Sequence, residues 1–296
     1  MKIVVAGASG NVGYRTAERL LEGGVFPVLI ARNTHAVRPL LDRGAQLIFG
    51  GSDNFEALDA ATANADALLW MTPPALGEPS LKGWYQRTAR LAAQAIEKNG
   101  VKRVVHISAV GALQNMRLGT VSYVAEVELA LAAACRNLVN LRPGYFMQNL
   151  VSQLNAIGKL PENQSAELQM TFAPDHDVPW ISAFDIGDVA AGYLMHSTWA
   201  GQWSRNLMGP QNLTMVEVAA IVSKAANRTV RYRQIPLEVM AGIFAAQGAN
   251  ETVQSEMREL LDALGDKDGV YATARTSEAA TPTTMQQFVE DCFDER

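Results

Sequence analysis

The chain has 296 residues, 48% of them hydrophobic, so it can bury a core larger than that of an ordinary single domain. A formal charge of −5 gives no general attraction to nucleic acid or to an anionic membrane, and excludes both as bulk partners. Cys135 and Cys292 stand far apart with no Cys-x-x-Cys pair and no His cluster nearby, so neither a metal site nor a disulfide framework is expected, and a reducing cytoplasm is the expected compartment.

The apolar run at residues 3–6 follows Lys2 but ends in glycines and polar residues, too soon for the core of a signal peptide. No segment offers the roughly 18 uninterrupted apolar residues of a membrane-spanning helix. Five further runs, at 27–31, 45–49, 67–71, 103–108 and 138–141, are rich in Val, Ile and Leu without strict alternation, the pattern of strands buried on both faces. Between them, residues 11–22, 35–43, 55–61, 84–98 and 123–136 carry apolar positions at helical spacing. This alternation predicts an α/β fold with a Rossmann-type, doubly wound parallel sheet in residues 1–150. The pattern loosens afterwards. Residues 158–163 and 173–177 read as loops and 214–226 and 253–264 as helices, so 151–296 is expected to form a smaller α+β substrate or cap lobe, with some segments returning to the sheet.

The first predicted strand runs directly into Gly7-Ala8-Ser9-Gly10-Asn11-Val12-Gly13 and then into a helix. In that context glycines let the backbone turn tightly and approach a pyrophosphate, while the free N–H groups of the helix start supply donors. The spacing is G-x-x-G-x-x-G, and no Gly-Lys-Ser/Thr follows to make a P-loop. At the end of the second predicted strand an acid would bind the adenosine ribose and repel a 2′-phosphate; here stands Arg32, flanked by Ala31 and Asn33. Its planar fork suits a phosphate, so NADP(H) is expected in preference to NAD(H).

These residues, with Leu141-Arg142-Pro143-Gly144-Tyr145-Phe146-Met147-Gln148-Asn149, resemble the NmrA-like branch of atypical short-chain dehydrogenases. Similarity extends to the segments 180–190, 213–219 and 282–288, and so over nearly the whole chain. The branch includes NADPH-dependent quinone and azo-dye reductases as well as redox-sensing regulators. The resemblance implies a pyrophosphate loop of Gly7, Ser9, Gly10, Asn11, Val12 and Gly13, with Arg32 at the 2′-phosphate. It implies Met71, Thr72 and Pro73 beside the ribose and pyrophosphate, Ser108 and Ala109 at the end of the fifth strand, and Pro143, Gly144, Phe146 and Asn149 beside the nicotinamide.

The wider superfamily pairs a tyrosine with a lysine four residues on, which lowers the phenol pKa for proton donation. Tyr123 is the candidate catalytic residue, but Val127 holds the lysine position, and Ala109 stands where a second serine would fall. A quinone can take hydride with protons from water, so an apolar pocket that orients it suffices. Trp84, Tyr145, Phe146, Asn149, Phe172, Trp180 and His176 are the expected pocket residues. His106, inside a strand run, reads as a core histidine; Glu126 and Glu128, two apart on a helix, face different directions and form no carboxylate pair. Two functions are carried forward. One is an NADPH-dependent reductase of a small planar or carbonyl-like electrophile, with a homodimer left open. The other is a non-catalytic redox sensor acting through a protein partner. A nucleotide-sugar epimerase needs the missing tyrosine and lysine and ranks below both.

Overall fold

The computed structural model describes residues 1–113, 118–161 and 164–294, so Glu162 and Asn163 of the expected loop lie outside the described residues. The first half alternates β1 (Ile3–Ala6), α1 (Asn11–Glu22), β2 (Val28–Ala31), α2 (Arg38–Asp42), β3 (Gln46–Phe49) and α3 (Phe55–Thr62). It continues through β4 (Ala67–Met71), α4 (Leu81–Asn99), β5 (Arg103–Ile107), α5 (Thr120–Ala134) and β6 (Leu138–Pro143). Beyond these come β7 (Tyr145–Phe146), α6 (Val151–Gly158), β8 (Ala166–Met170), β9 (Trp180–Ile181), α7 (Ala183–Met195) and β10 (Gln202–Leu207). The chain ends through α8 (Met215–Ala225), β11 (Val230–Gln234), α9 (Leu237–Ala246), α10 (Glu251–Gly265) and α11 (Met285–Asp294).

Seven parallel strands form the central sheet in the order β10-β6-β5-β4-β1-β2-β3. The six strands expected from the sequence are all present, because β1, β2 and β5 are buried at every position and their apolar runs had no solvent face to interrupt them. The seventh, Gln-Trp-Ser-Arg-Asn-Leu, is an edge strand with polar residues at four of its six positions and escapes a search for continuous apolar runs. β8 pairs with β11, and β7 with β9, as separate two-stranded parallel ribbons.

Helix boundaries moved where caps override periodicity. Pro39, at the start of α2, fixes that helix to Arg38–Asp42 rather than 35–43. α4 begins at Leu81 because Ser80 caps it, accepting from Gly83 N, and because the buried carboxylate of Glu256 on α10 accepts from Leu81 N at 2.7 Å and Lys82 N at 3.0 Å. α5 begins at Thr120, a full turn's fraction earlier than the expected 123.

α10 lies close against the start of α5. A Cβ on Gly119, whose φ is +52°, would sit 2.6 Å from Leu260 N and 2.9 Å from Glu256 O. Gly119→Ala is therefore expected to cost about 2–4 kcal/mol in urea unfolding, from positive-φ strain plus overpacking; a wild-type midpoint would show that α10 shifts freely.

Among the described residues no helix is long and apolar enough to cross a membrane, and no cluster of His, Cys, Asp and Glu could hold a metal ion.

Candidate functional site

The site begins with the turn between β1 and α1. Gly7 has φ +71°, a conformation costly for any residue with a Cβ, and Gly10 N closes the turn onto Gly7 O at 3.0 Å. Gly13 is packed against that turn: its Cβ would lie 2.4 Å from Gly7 O. Gly10 caps α1 without a side-chain hydrogen bond, and no acid stands in the helix's first turn, so the positive end of the helix is left for an anion. Asp188 on α7 takes Arg15 Nε at 2.6 Å and Arg19 Nε at 2.8 Å, which fixes the outer face of α1.

The carboxyl ends of β1, β4 and β5 enclose a cavity of about 290 Å³. It brings together Asn11, Val12, Met71, Thr72, Pro73, Ser108 and Phe146 of the expected residues, with Ala109. Ser9, Gly10 and Asn11 line an adjoining depression of about 350 Å³ with Tyr14 and Phe184. Thr72 Oγ1 is buried without a hydrogen-bond partner, so the wall holds a polar atom that the chain itself does not satisfy. A dinucleotide fits these features: an uncapped helix start, a left-handed glycine, an unsatisfied hydroxyl. Arg32 is exposed at the end of β2, its Nε beside Gly51, where Asp53 also reaches.

Other expected residues are placed elsewhere. Pro143 ends β6, its carbonyl accepting from Val110 N; Gly144 permits a close approach, since its Cβ would lie 2.1 Å from Pro179 O. Trp84 is buried and donates its Nε1–H to Pro73 O at 2.9 Å, holding the loop after β4 rather than lining the cavity. Tyr85, its neighbour, lines it instead. Phe172 and Trp180 belong to a buried cluster that also takes in Val110, Leu118, Val121, Met147 and Leu150, and His176 packs beside Phe172. Trp180 donates to Leu213 O, and His176, far from being an exposed loop histidine, is 2% exposed and donates Nε2–H to Leu264 O at 2.9 Å. Large aromatic side chains bury the most area in a core, which takes these away from a pocket wall. Tyr145 stacks edge-on against Phe172 and Trp180 at 5.3 and 5.2 Å; burial pushes its pKa up to about 12, tempered by a hydrogen bond to the exposed Asn149.

Tyr123 also turns away. The face that α5 turns to the cavity carries Thr120, Val121 and Val124. Tyr123 instead hydrogen-bonds Glu256, and burial followed by the charges of Glu256 and Glu259 pushes its pKa up to about 12. That is the opposite of the shift a proton-donating tyrosine needs at neutral pH.

A buried group that residue spacing alone did not reveal stands behind the cavity. Ser108 donates to Glu128 Oε1 at 2.5 Å, and Arg142 on β6 clamps the same carboxylate, Nε to Oε1 at 2.8 Å and Nη2 to Oε2 at 2.6 Å. Glu128 is 2% exposed. Beside it His106 Nδ1 meets Asn140 Oδ1 at 2.9 Å, and burial above all pushes its pKa down to about 4, so the ring is neutral. The sequence signal was an acid on the buried side of an apolar helix, three positions from Ala125 and from Leu131.

The sequence profile of the NmrA-like family matches residues 1–289. An NAD(P)H azoreductase of Xenophilus azovorans is 28% identical over 97% of this chain and 96% of its own length. In fold, the chain matches the Citrobacter sp. triphenylmethane reductase complexed with NADP(H) at TM-score 0.78, with 19% identity over 99% of this chain and 100% of that one. It matches an NADPH-dependent quinone oxidoreductase of Escherichia coli complexed with NADPH at TM-score 0.74, with 20% identity and the same coverage.

Proposed function

We propose, from the premise that this chain belongs to the NmrA-like family, that it is an NAD(P)H-dependent oxidoreductase that prefers NADP(H) and reduces a small planar or carbonyl-like acceptor such as a quinone. The observation that carries the reading is the joining of the uncapped α1 terminus to the cavity over β4 and β5, with Asn11 on both walls. Bound there, a reduced nicotinamide would supply hydride, two electrons with one proton, and water would be the source of the acceptor's other proton. The N–H groups of Asn11 and Val12 and the Thr72 hydroxyl would hold the phosphates and ribose, and Arg32 the 2′-phosphate. Tyr85, Val121, Val124 and Phe146 make the cavity apolar, excluding water from the transferring hydride and orienting a flat acceptor.

Turnover is tested by the loss of reduced-nicotinamide absorbance against a panel of quinones, azo dyes and enals. The placement of Tyr123 against Glu256 favours a second reading, a non-catalytic sensor of the NADP(H) pool. Tight NADPH binding by calorimetry with no acceptor consumed would establish that one instead. Arg32→Asp is expected to weaken NADPH binding about a hundredfold, a loss of about 3 kcal/mol for a charge-assisted contact, with NADH affected far less. Equal losses would remove Arg32 from the phosphate.

A further inference from the structure

Resting on the reductase reading, we infer that Ser108 faces the acceptor site as a hydrogen-bond acceptor, locked in that polarity by Glu128 and Arg142, so that the preferred substrates carry an O–H or N–H donor beside the reducible group.

A serine hydroxyl has one proton and two lone pairs. Here the proton is committed: Glu128 Oε1 receives it at 2.5 Å, on the side of the wall away from the cavity. Arg142 donates to the same carboxylate, Nε to Oε1 at 2.8 Å and Nη2 to Oε2 at 2.6 Å, so Glu128 faces donors on both oxygens. The serine is not free to swing, since all three groups are packed: Ser108 is 7% exposed, Glu128 2%, and the Arg142 side chain 16%. What Ser108 presents to the cavity is therefore lone-pair density.

A bare carbonyl oxygen opposite it meets another acceptor and gains nothing. An amino- or hydroxyl-bearing quinone, or an azo compound with an ortho N–H or O–H, gains a bond and is oriented by it. Ser108 is the residue in contact with substrate, while Glu128 and Arg142 are positioning residues that set the direction of its hydrogen bond.

The experiment compares two quinones of equal shape, menadione and the quinone in which an amino group replaces menadione's methyl group. It uses the full chain with saturating NADPH. The readout is the ratio of kcat/KM for the amino compound to that for menadione, in which differences in intrinsic reactivity and general structural damage cancel between variants. Ser108→Ala is expected to lower this ratio about tenfold, the worth of one hydrogen bond. Glu128→Leu combined with Arg142→Leu removes the acceptor of the serine proton and the charge that would otherwise be left buried, so the hydroxyl is free to turn its proton to the cavity; the ratio is expected to fall at least as far.

A ratio within about twofold of wild type in Ser108→Ala, with both quinones slowed alike, would mean that Ser108 donates to the carbonyl. The inference would then be overturned while the reductase reading stands. An unchanged ratio in Glu128→Leu/Arg142→Leu alone would overturn the positioning by the ion pair. Oxidation of NADPH by neither quinone in the wild type would overturn the reductase reading itself, and the inference with it.

Discussion

Gly10→Val keeps its stability and binds neither NADPH nor NADH, whereas Gly13→Val is strongly destabilised: these different results are expected from two glycines three residues apart. At Gly10 the backbone is extended, with φ −91° and ψ 161°, and an added Cβ would meet Gly7 O at 3.5 Å, an ordinary contact. The valine methyl groups would instead project over the start of α1 and displace the pyrophosphate, a loss of at least about 3 kcal/mol or a hundredfold in affinity. At Gly13 the same Cβ would stand 2.4 Å from Gly7 O, 2.9 Å from Gly7 C and 3.0 Å from Ala8 Cα. All three are backbone atoms of the turn and none can rotate away, so the cost is about 3 kcal/mol or more. Urea unfolding and calorimetric titration on both variants separate the effects. Wild-type affinity in Gly10→Val would remove the loop from the phosphate site.

Glu128→Ala is expected to destabilise the fold by about 3–5 kcal/mol, because it leaves the Arg142 guanidinium uncompensated in a site with little water. Ser108 Oγ loses its acceptor at the same time. Urea unfolding measures the loss. Glu128→Ala/Arg142→Leu should recover part of it, since replacing both charges leaves no buried ion; a double variant as unstable as the single one would place the damage in the cavity created rather than in the charge.

The parts of the molecule legible in the sequence were those specified by neighbours in the chain. The strands at β1, β2, β4 and β5 read correctly because each is an apolar run hidden on both faces, and α1 read to the residue because the glycines bound it on both sides. The resemblance to the NmrA-like family rested on the same kind of local pattern and holds over residues 1–289. What was not legible depended on distant partners. Glu128 was weighed against Glu126, its neighbour on the helix, when its true partner is Arg142, fourteen residues on and across in the sheet. Tyr123 was weighed as the tyrosine of the superfamily's Tyr-x-x-x-Lys pair, but the face of α5 on the cavity carries Thr120, Val121 and Val124, and Tyr123 lies toward Glu256. The aromatic residues Phe172 and Trp180 were expected in a pocket wall, and only the packing shows that they are interior, in a cluster drawn from residues as far apart as Val110 and Val289.

Glu256 has a consequence for how the protein is made. The carboxylate that satisfies the first N–H groups of α4 lies 176 residues after Ser80. At ribosomal speeds of about 5–20 residues per second, that distance takes on the order of ten to thirty seconds to synthesise. Throughout that interval the helix start and the apolar wall beneath it, including Tyr85 and Trp84, wait for a partner that has not yet left the ribosome. The nascent half-sheet is therefore exposed until α10 arrives, and the sensitive period in biogenesis opens early and lasts through most of translation.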